Sequence, residues 1–255
     1  MTKYAELRFY AELRDFLSAD RRSGLVTRTF DVAGSVKDMI EACGVPHTEV
    51  ALILANGQTA RFTYRVQDED RIAVYPPFRS LDIESERLVS PASLPQLQFV
   101  LDGHLGKLAR YLRLLGFDST CDVAWADPEL VEASTKEGRV LLTRDVGLLM
   151  HGVLTHGYFV RATQPRRQLL EVVRRFELAP AIEAFTRCLA CNGGLREVAK
   201  DEVMDRLLPQ TREHFEQFRE CPHCDRVYWK GAHYAKLREI VEDATRTSMA
   251  GSPDR

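Results

Sequence analysis

No stretch of this sequence approaches the roughly 18 or more consecutive apolar residues that a membrane-spanning helix needs, so no membrane span is expected. The opening Met1-Thr2-Lys3-Tyr4-Ala5-Glu6 lacks the apolar core of a signal peptide, which makes the cytoplasm the expected compartment. A dominant charge of one sign is missing as well. With a formal net charge of −2, the chain is not held on nucleic acid by bulk charge, and any such site must be a local basic stripe. Internal repeats are absent. Cysteine is scarce, at 6 residues in 255, and disulfides are uncommon in a reducing compartment. The two Cys-x-x-Cys pairs therefore point to metal, while the isolated Cys43 and Cys121 are expected as small buried apolar side chains. What is present is ordinary for a soluble globular chain: 45% hydrophobic and 28% charged residues, over a length that suggests two or more compact units.

Apolar residues at 5, 7 and 9 alternate as in a half-buried strand, and Ala11 to Leu17 reads as a short turn or helix. A second strand is expected from Leu25 to Val32. Ser35 reads as the N-cap of a helix over Val36 to Cys43 that stops at Gly44. Val50 to Ala55, the turn pair Asn56-Gly57 and the run Arg71 to Tyr75 supply further strands. This order, with its closing Glu69 to Pro77, resembles the ubiquitin-like β-grasp proteins that carry sulfur in thiamin and molybdopterin synthesis. Those carriers end in an activated diglycine, whereas here Pro77 leads into Phe78-Arg79-Ser80 and onward. Sulfur transfer is thus not expected, which leaves a docking or a structural role for residues 1–78. Residues 79–96, rich in serine and proline without a clear period, read as a linker.

A new domain is expected over 97–180. Its strand-then-helix rhythm is Gln98 to Leu101, a helix Leu105 to Leu115 ending at Gly116, a helix Asp127 to Glu137, strands Arg139 to Thr143 and Gly157 to Arg161, and a helix Arg166 to Phe176. Such alternation predicts an α/β fold, an open parallel sheet covered by helices. In such sheets ligands sit beyond the carboxyl ends of the strands. Asp102 and Asp145 each follow an apolar strand, and Asp127, followed by Pro128, marks a helix start at the same edge. Three carboxylates of this kind suit Mg²⁺ or Mn²⁺, hard cations that prefer oxygen. Helix capping alone also selects aspartate, and that reading stands beside the catalytic one, most directly for Asp127. Asp118, Asp122 and Glu129 are candidates for a fourth acid. Along the helix after Asp102, Lys107, Arg110 and Arg113 fall opposite the apolar face, as phosphate-facing bases would, or as a solvated face would.

Residues 181–238 hold Cys188, Cys191, Cys221 and Cys224, and 239–255 read as a helix end with a frayed polar tail from Asp243 onward. Two Cys-x-x-Cys turns suit one tetrahedral Zn²⁺, with no open position for chemistry, so the zinc is expected to be structural. The 29 residues between the pairs require a hairpin or helical excursion, for instance around Asn192-Gly193-Gly194. His214, His223 and His233 are competing ligands. Arg226, Tyr228, Trp229, Lys230, His233, Tyr234, Lys236 and Arg238 mix basic and aromatic residues as single-strand nucleic-acid surfaces do, and as ordinary surfaces also do.

Three runs carry a second resemblance: Leu101 to Asp118 (LDGHLGKLARYLRLLGFD), Val140 to Asp145 (VLLTRD) and Cys221 to Tyr234 (CPHCDRVYWKGAHY). In this order they resemble the Mut-seven C-terminal RNase family, which joins a PIN-type nuclease domain to a zinc ribbon, often behind a ubiquitin-like domain. The resemblance implies a metal-dependent ribonuclease with Asp102, Asp127 and Asp145 as its acids. Lys107, Arg110 or Arg144 would position the phosphates of a single-stranded RNA substrate. A protein or ribosome partner would dock on the β-grasp domain. A non-catalytic RNA- or ribosome-binding adaptor is the alternative, and an interaction module of a sulfur-transfer pathway would require the diglycine that is missing.

Overall fold

The structure is a computed structural model that describes residues 2–77, residue 89 and residues 97–247. Most of the expected linker, and the tail beyond 247, lie outside the described residues. The first third holds strands β1 (Lys3–Phe9), β2 (Leu25–Phe30), β3 (Leu52–Ala55), β4 (Gln58–Thr59) and β5 (Asp70–Tyr75), with helix α1 (Val36–Glu41) between β2 and β3. They form one five-stranded sheet in the order β2-β1-β5-β3-β4. Strand β1 runs parallel to β5 and antiparallel to β2, which is the β-grasp arrangement. Alternation along β1 sends Ala5, Leu7 and Phe9 into a core with Ile40, Ile53, Ile72 and Val74. Each buried large aliphatic or aromatic side chain there contributes about 1.5–3 kcal/mol of transfer free energy.

The sequence signals act locally as expected. Ser35 accepts the Asp38 N–H while the Asp38 carboxylate accepts the Ser35 N–H, a reciprocal capping box. Asn56 and Gly57 take φ of 51° and 82°, the left-handed pair that a two-residue hairpin demands. Asp70 is buried, yet its carboxylate accepts from Asn56 Nδ2, the Tyr64 hydroxyl and the Gln67 N–H.

Beyond residue 97 come β6 (Phe99–Leu101), α2 (Gly106–Leu114), β7 (Ser119–Cys121), α3 (Asp127–Glu137), β8 (Val140–Thr143), α4 (Val146–Leu149), β9 (Gly157–Phe159) and α5 (Pro165–Arg175). Then follow β10 (Arg196–Val198), α6 (Lys200–Val203), α7 (Pro209–His214), β11 (Phe218–Glu220), β12 (Val227–Trp229) and α8 (Tyr234–Arg246). The result is a mixed α/β protein with parallel strands flanked by helices. Strand β6 pairs in parallel with β7, β8 with β9, and β10, β11 and β12 form an antiparallel three-stranded sheet.

The chain divides into two compact units that interleave along the sequence. The first comprises residues 1–96 and 127–159, so α3, β8, α4 and β9 cluster with the β-grasp sheet. Its internal seam is polar and specific. His47 presents one ring nitrogen to Glu41 Oε1 at 2.6 Å and the other to the Leu154 carbonyl at 2.8 Å. The buried Glu49 carboxylate accepts the Phe159 N–H at 2.6 Å, and Phe16 meets the Phe159 ring edge-on at 5.3 Å. Gly157 lies so close to the side-chain ends of Leu149 and Leu154 that a Cβ there would make them shift, and it sits in contact range of Thr48.

The second unit comprises residues 97–126 and 160–255. Helices α2, α5 and α8 pack on one another, and Phe99 is buried between Phe117 and Phe176. Helix α8 continues to Arg246, so the frayed tail expected from Asp243 onward is helical at its start. Ile240 and Ala244, four residues apart, keep one stripe of that helix buried.

Candidate metal centre and acidic site

The four cysteines come together. The Sγ atoms of Cys188, Cys191, Cys221 and Cys224 all lie within 4.8 Å of one another, with 3.6 Å between Cys188 and Cys224 and 3.4 Å between Cys191 and Cys221. A tetrahedral Zn²⁺ with Zn–S near 2.3 Å would set its sulfurs about 3.8 Å apart, so the cluster fits a metal such as zinc. Among the described residues this is the one such group of three or more His, Cys, Asp or Glu side chains, and none of His214, His223 and His233 belongs to it.

Two matching turns build it. In the first, the Asn192 N–H returns to the Cys188 carbonyl and the Cys188 N–H to the Gly193 carbonyl. In the second, Asp225 N–H returns to Cys221 and Cys221 N–H to Arg226. Asn192 and Asp225, each directly after its pair, both take positive φ, 71° and 57°. A Cβ on Gly193 would sit 3.1 Å from Cys221 Sγ, so a larger residue there would press on the sulfurs. The excursion between the pairs is both helical and extended: β10, α6, α7 and β11, closed over Val203, Leu207 and Phe218.

At Cys188 the polar surroundings favour thiolate. Burial pushes the Cys188 thiol up. Hydrogen bonds from the Cys191 N–H, the Tyr228 hydroxyl and the Ala190 N–H outweigh it and bring the value down to about 6. Burial pushes Cys191 up. Tyr228 is held 3.0 Å from Cys188 Sγ and accepts the Leu189 N–H at 3.2 Å. Its sequence context suggested an RNA surface; strand alternation turns it inward to the sulfurs. Trp229 points to the other side and packs on Phe218, Arg238 pairs with Glu242, and Lys230 sits beside Gln217 and Tyr234. Arg226, Trp229, Lys230, His233, Lys236 and Arg238 of the basic-aromatic stripe are exposed.

Arg113 is the main departure from the sequence reading. It was expected among phosphate-facing bases, but it is only 6% exposed. Its Nε donates to the Ser119 carbonyl at 2.8 Å, and Nη1 donates to the carbonyls of Leu189 and Ala190 at 3.2 and 2.9 Å. Asp118, a candidate fourth acid, accepts from Asn192 Nδ2 and pairs with Arg187 at 3.4 Å, so it braces the first cysteine turn.

Asp102 follows β6 directly, as expected, and its Oδ1 lies 2.9 Å from Nδ1 of His104. His104 lies within the quoted motif but was not singled out; its spacing of two residues after a strand-end acid was the available signal. Asp145 lies two residues past the end of β8 at Thr143 and caps α4, its Oδ1 accepting the N–H groups of Gly147 and Leu148 at 2.7 and 3.2 Å. Asp127 is exposed at the first position of α3, and Asp122 is exposed with its carboxylate accepting the Ala124 N–H. Glu129 lies exposed in the first turn of α3. Lys107 and Arg110 are exposed on α2, while Arg144 lies 5.8 Å over the Phe159 ring. Cys43 is buried and Cys121 half-buried, its Sγ 3.8 Å from the Asp102 carbonyl. Among the described residues no helix is long and apolar enough to cross a membrane.

Parallel strands with an acid at a strand end, a β-grasp sheet and a cluster of four cysteines that fits a metal define a multi-part α/β protein. Residues 97–241 match the Mut7-C RNAse domain family and residues 2–82 the Mut7-C ubiquitin family, and the chain belongs to the Mut7-C RNAse domain family. Comparison with curated protein sequences gives no match. Among solved structures, it is similar to the H. volcanii small archaeal modifier protein 1, with 20% identity over 30% of this chain and 99% of that chain and a TM-score of 0.25. A solution structure of the Haloferax volcanii HVO 2177 protein shares 20% identity over 31% of this chain and 87% of its own, with a TM-score of 0.26.

Proposed function

We propose that the protein is a metal-dependent ribonuclease that hydrolyses phosphodiester bonds of single-stranded RNA. The family match over 97–241, with Asp102 emerging from the buried strand β6, is the observation that supports this reading. Asp102, Asp127 and Asp145 are the acids assigned to the reaction. Their carboxylates are the hard oxygen donors that Mg²⁺ or Mn²⁺ takes, and such an ion supplies activation of water and neutralisation of phosphate charge. Within the protein, His104 orients the Asp102 carboxylate through Oδ1, and the α4 N–H groups orient Asp145 through its own Oδ1. Lys107, Arg110 and Arg144 supply positive charge for neighbouring phosphates. Zinc in the four-cysteine centre is structural, because four thiolates leave no open position. Residues 1–77 act as a scaffold for 127–159 through His47 and Glu49, and any protein or ribosome partner meets the remaining surface of that sheet.

Purified protein with Mn²⁺ and labelled single-stranded RNA tests this. Asp102→Asn and Asp145→Asn are each expected to slow cleavage by at least the roughly 10–100-fold that loss of a group supporting a metal's ligands costs; cutting at wild-type rate by both sinks the assignment. The second reading, a non-catalytic RNA-binding adaptor, is favoured by the local cap that occupies Asp145. RNA binding without metal-dependent cutting would establish it.

A further inference from the structure

Arg113 is a buried guanidinium whose hydrogen bonds all go to neutral carbonyls: Ser119 at the start of β7, and Leu189 and Ala190 inside the first cysteine turn. A buried cation held only by neutral acceptors calls for a nearby anion. Asp118 is one, but Arg187 also lies against it, with Nε on the Gly116 carbonyl and Nη1 on the Asn192 carbonyl. Asp118 is thus paired with Arg187, and its charge reaches Arg113 only from a distance. Four thiolates around a divalent ion carry a net charge of −2, and the sulfurs of Cys188 and Cys191 belong to the turn that Arg113 grips. The metal–thiolate centre is the further negative charge beside Arg113.

The same groups are mechanical ties. Ser119 N–H donates to Asn192 Oδ1, so β7 and the first cysteine turn share bonds in both directions. Arg113 stands on α2, the helix that begins just after Asp102. We propose that Arg113 is a positioning residue, counter-ion and latch of the four-cysteine centre, through which metal occupancy orders α2, β7 and the strand end that carries Asp102. The last link rests on the ribonuclease reading; the first two do not.

The test uses the full chain. Zinc affinity is measured by competition with a chromophoric chelator for wild type, Arg113→Gln and Arg113→Lys. Removal of a partner lying just outside a metal's ligands typically weakens the metal 10–100-fold, and Arg113→Gln is expected in that range. Arg113→Lys, which keeps the charge and loses the fork, should fall between. Thermal midpoints with zinc and after chelation separate this from mere packing. The Gln substitution should lower the midpoint of the zinc form far more than that of the metal-free form, because without the anion the buried charge loses its partner. Hydrogen exchange on wild type should show residues 106–121 losing protection on chelation, which keeps the test alive if the Gln variant does not fold. Wild-type zinc affinity in Arg113→Gln, an equal midpoint loss in both forms, or unchanged protection in 106–121 overturns the proposal. If wild type leaves RNA intact, the ribonuclease reading falls, while affinity and midpoints still decide Arg113.

Discussion

Glu220 shows how single residues set the acid limit of the ribbon. It sits in β11 with Arg206 on one oxygen at 2.5 Å and Arg196 on the other, and these hydrogen bonds, Arg206 first, hold its carboxyl below the usual carboxylate range. A carboxylate whose value is depressed by folding contributes stability that is full above the unfolded value and is lost as pH falls through the folded one. Replacing Glu220 by Gln should therefore lower the thermal midpoint at neutral pH. The gap from wild type should hold above about pH 5 and shrink as the buffer is taken down through the ordinary Glu value, about pH 4.3, and on through the lower folded one. A pH series of melting curves on both proteins measures this, and a gap independent of pH would remove the assignment. At the same scale, the cysteines were legible because spacing alone brings thiols together. Arg113 was not legible as buried, because it falls on the flank of the apolar stripe, four residues after Ala109, where a charged side chain is expected in solvent, and the approach of the cysteine turn to α2 covers that side.

At the scale of elements, end signals carried most of what could be read. Helix α3 runs from Asp127 to Glu137 and β8 ends at Thr143, both as the sequence indicates. The short β7 and α4 escaped because three or four residues cannot show a period, and their existence depends on β6 beside one and on the Asp145 cap of the other. The stop at Gly116 is the most exacting of these ends. Its φ is +98°, and an added Cβ would lie 2.4 Å from the Glu183 carbonyl, which the backbone needs because Glu183 N–H bonds Leu115 just before it. An unstrained Gly→Ala change stabilises by about 0.4–1 kcal/mol, whereas Gly116→Ala, at positive φ and against the Glu183 carbonyl, is expected to destabilise by more than about 1 kcal/mol. Denaturant titration would show it; a loss under about 0.5 kcal/mol, the size of a neutral surface change, would contradict the geometry.

Across the whole molecule, the order of segments along the chain is not the order of contacts. Residues 127–159 belong with the N-terminal sheet, and this could not be read from sequence because the seam depends on His47 and Glu49 reaching acceptors and donors about a hundred residues away. A fragment beginning at residue 97 would leave the Phe159 N–H and the Leu154 carbonyl without these partners and uncover Gly157 and Phe159. Such a fragment should melt lower than the full chain and bind an apolar dye; equal melting would show that the seam contributes nothing. The two Asn-Gly steps offer a different kind of reading. Asn56 gives its amide to Asp70 and accepts the Arg71 N–H; Asn192 gives its amide to Asp118 and accepts the Ser119 N–H. Asn-Gly is the step most prone to cyclise through attack of the glycine nitrogen on the side-chain carbonyl, and in both places the carboxamide is tethered at both ends. Each site is thereby a chemical clock that runs only when its own part of the molecule opens. Peptide mapping of stored protein should find deamidation at Asn192 rising after chelation while Asn56 stays intact, so ageing itself records which half of the protein has let go.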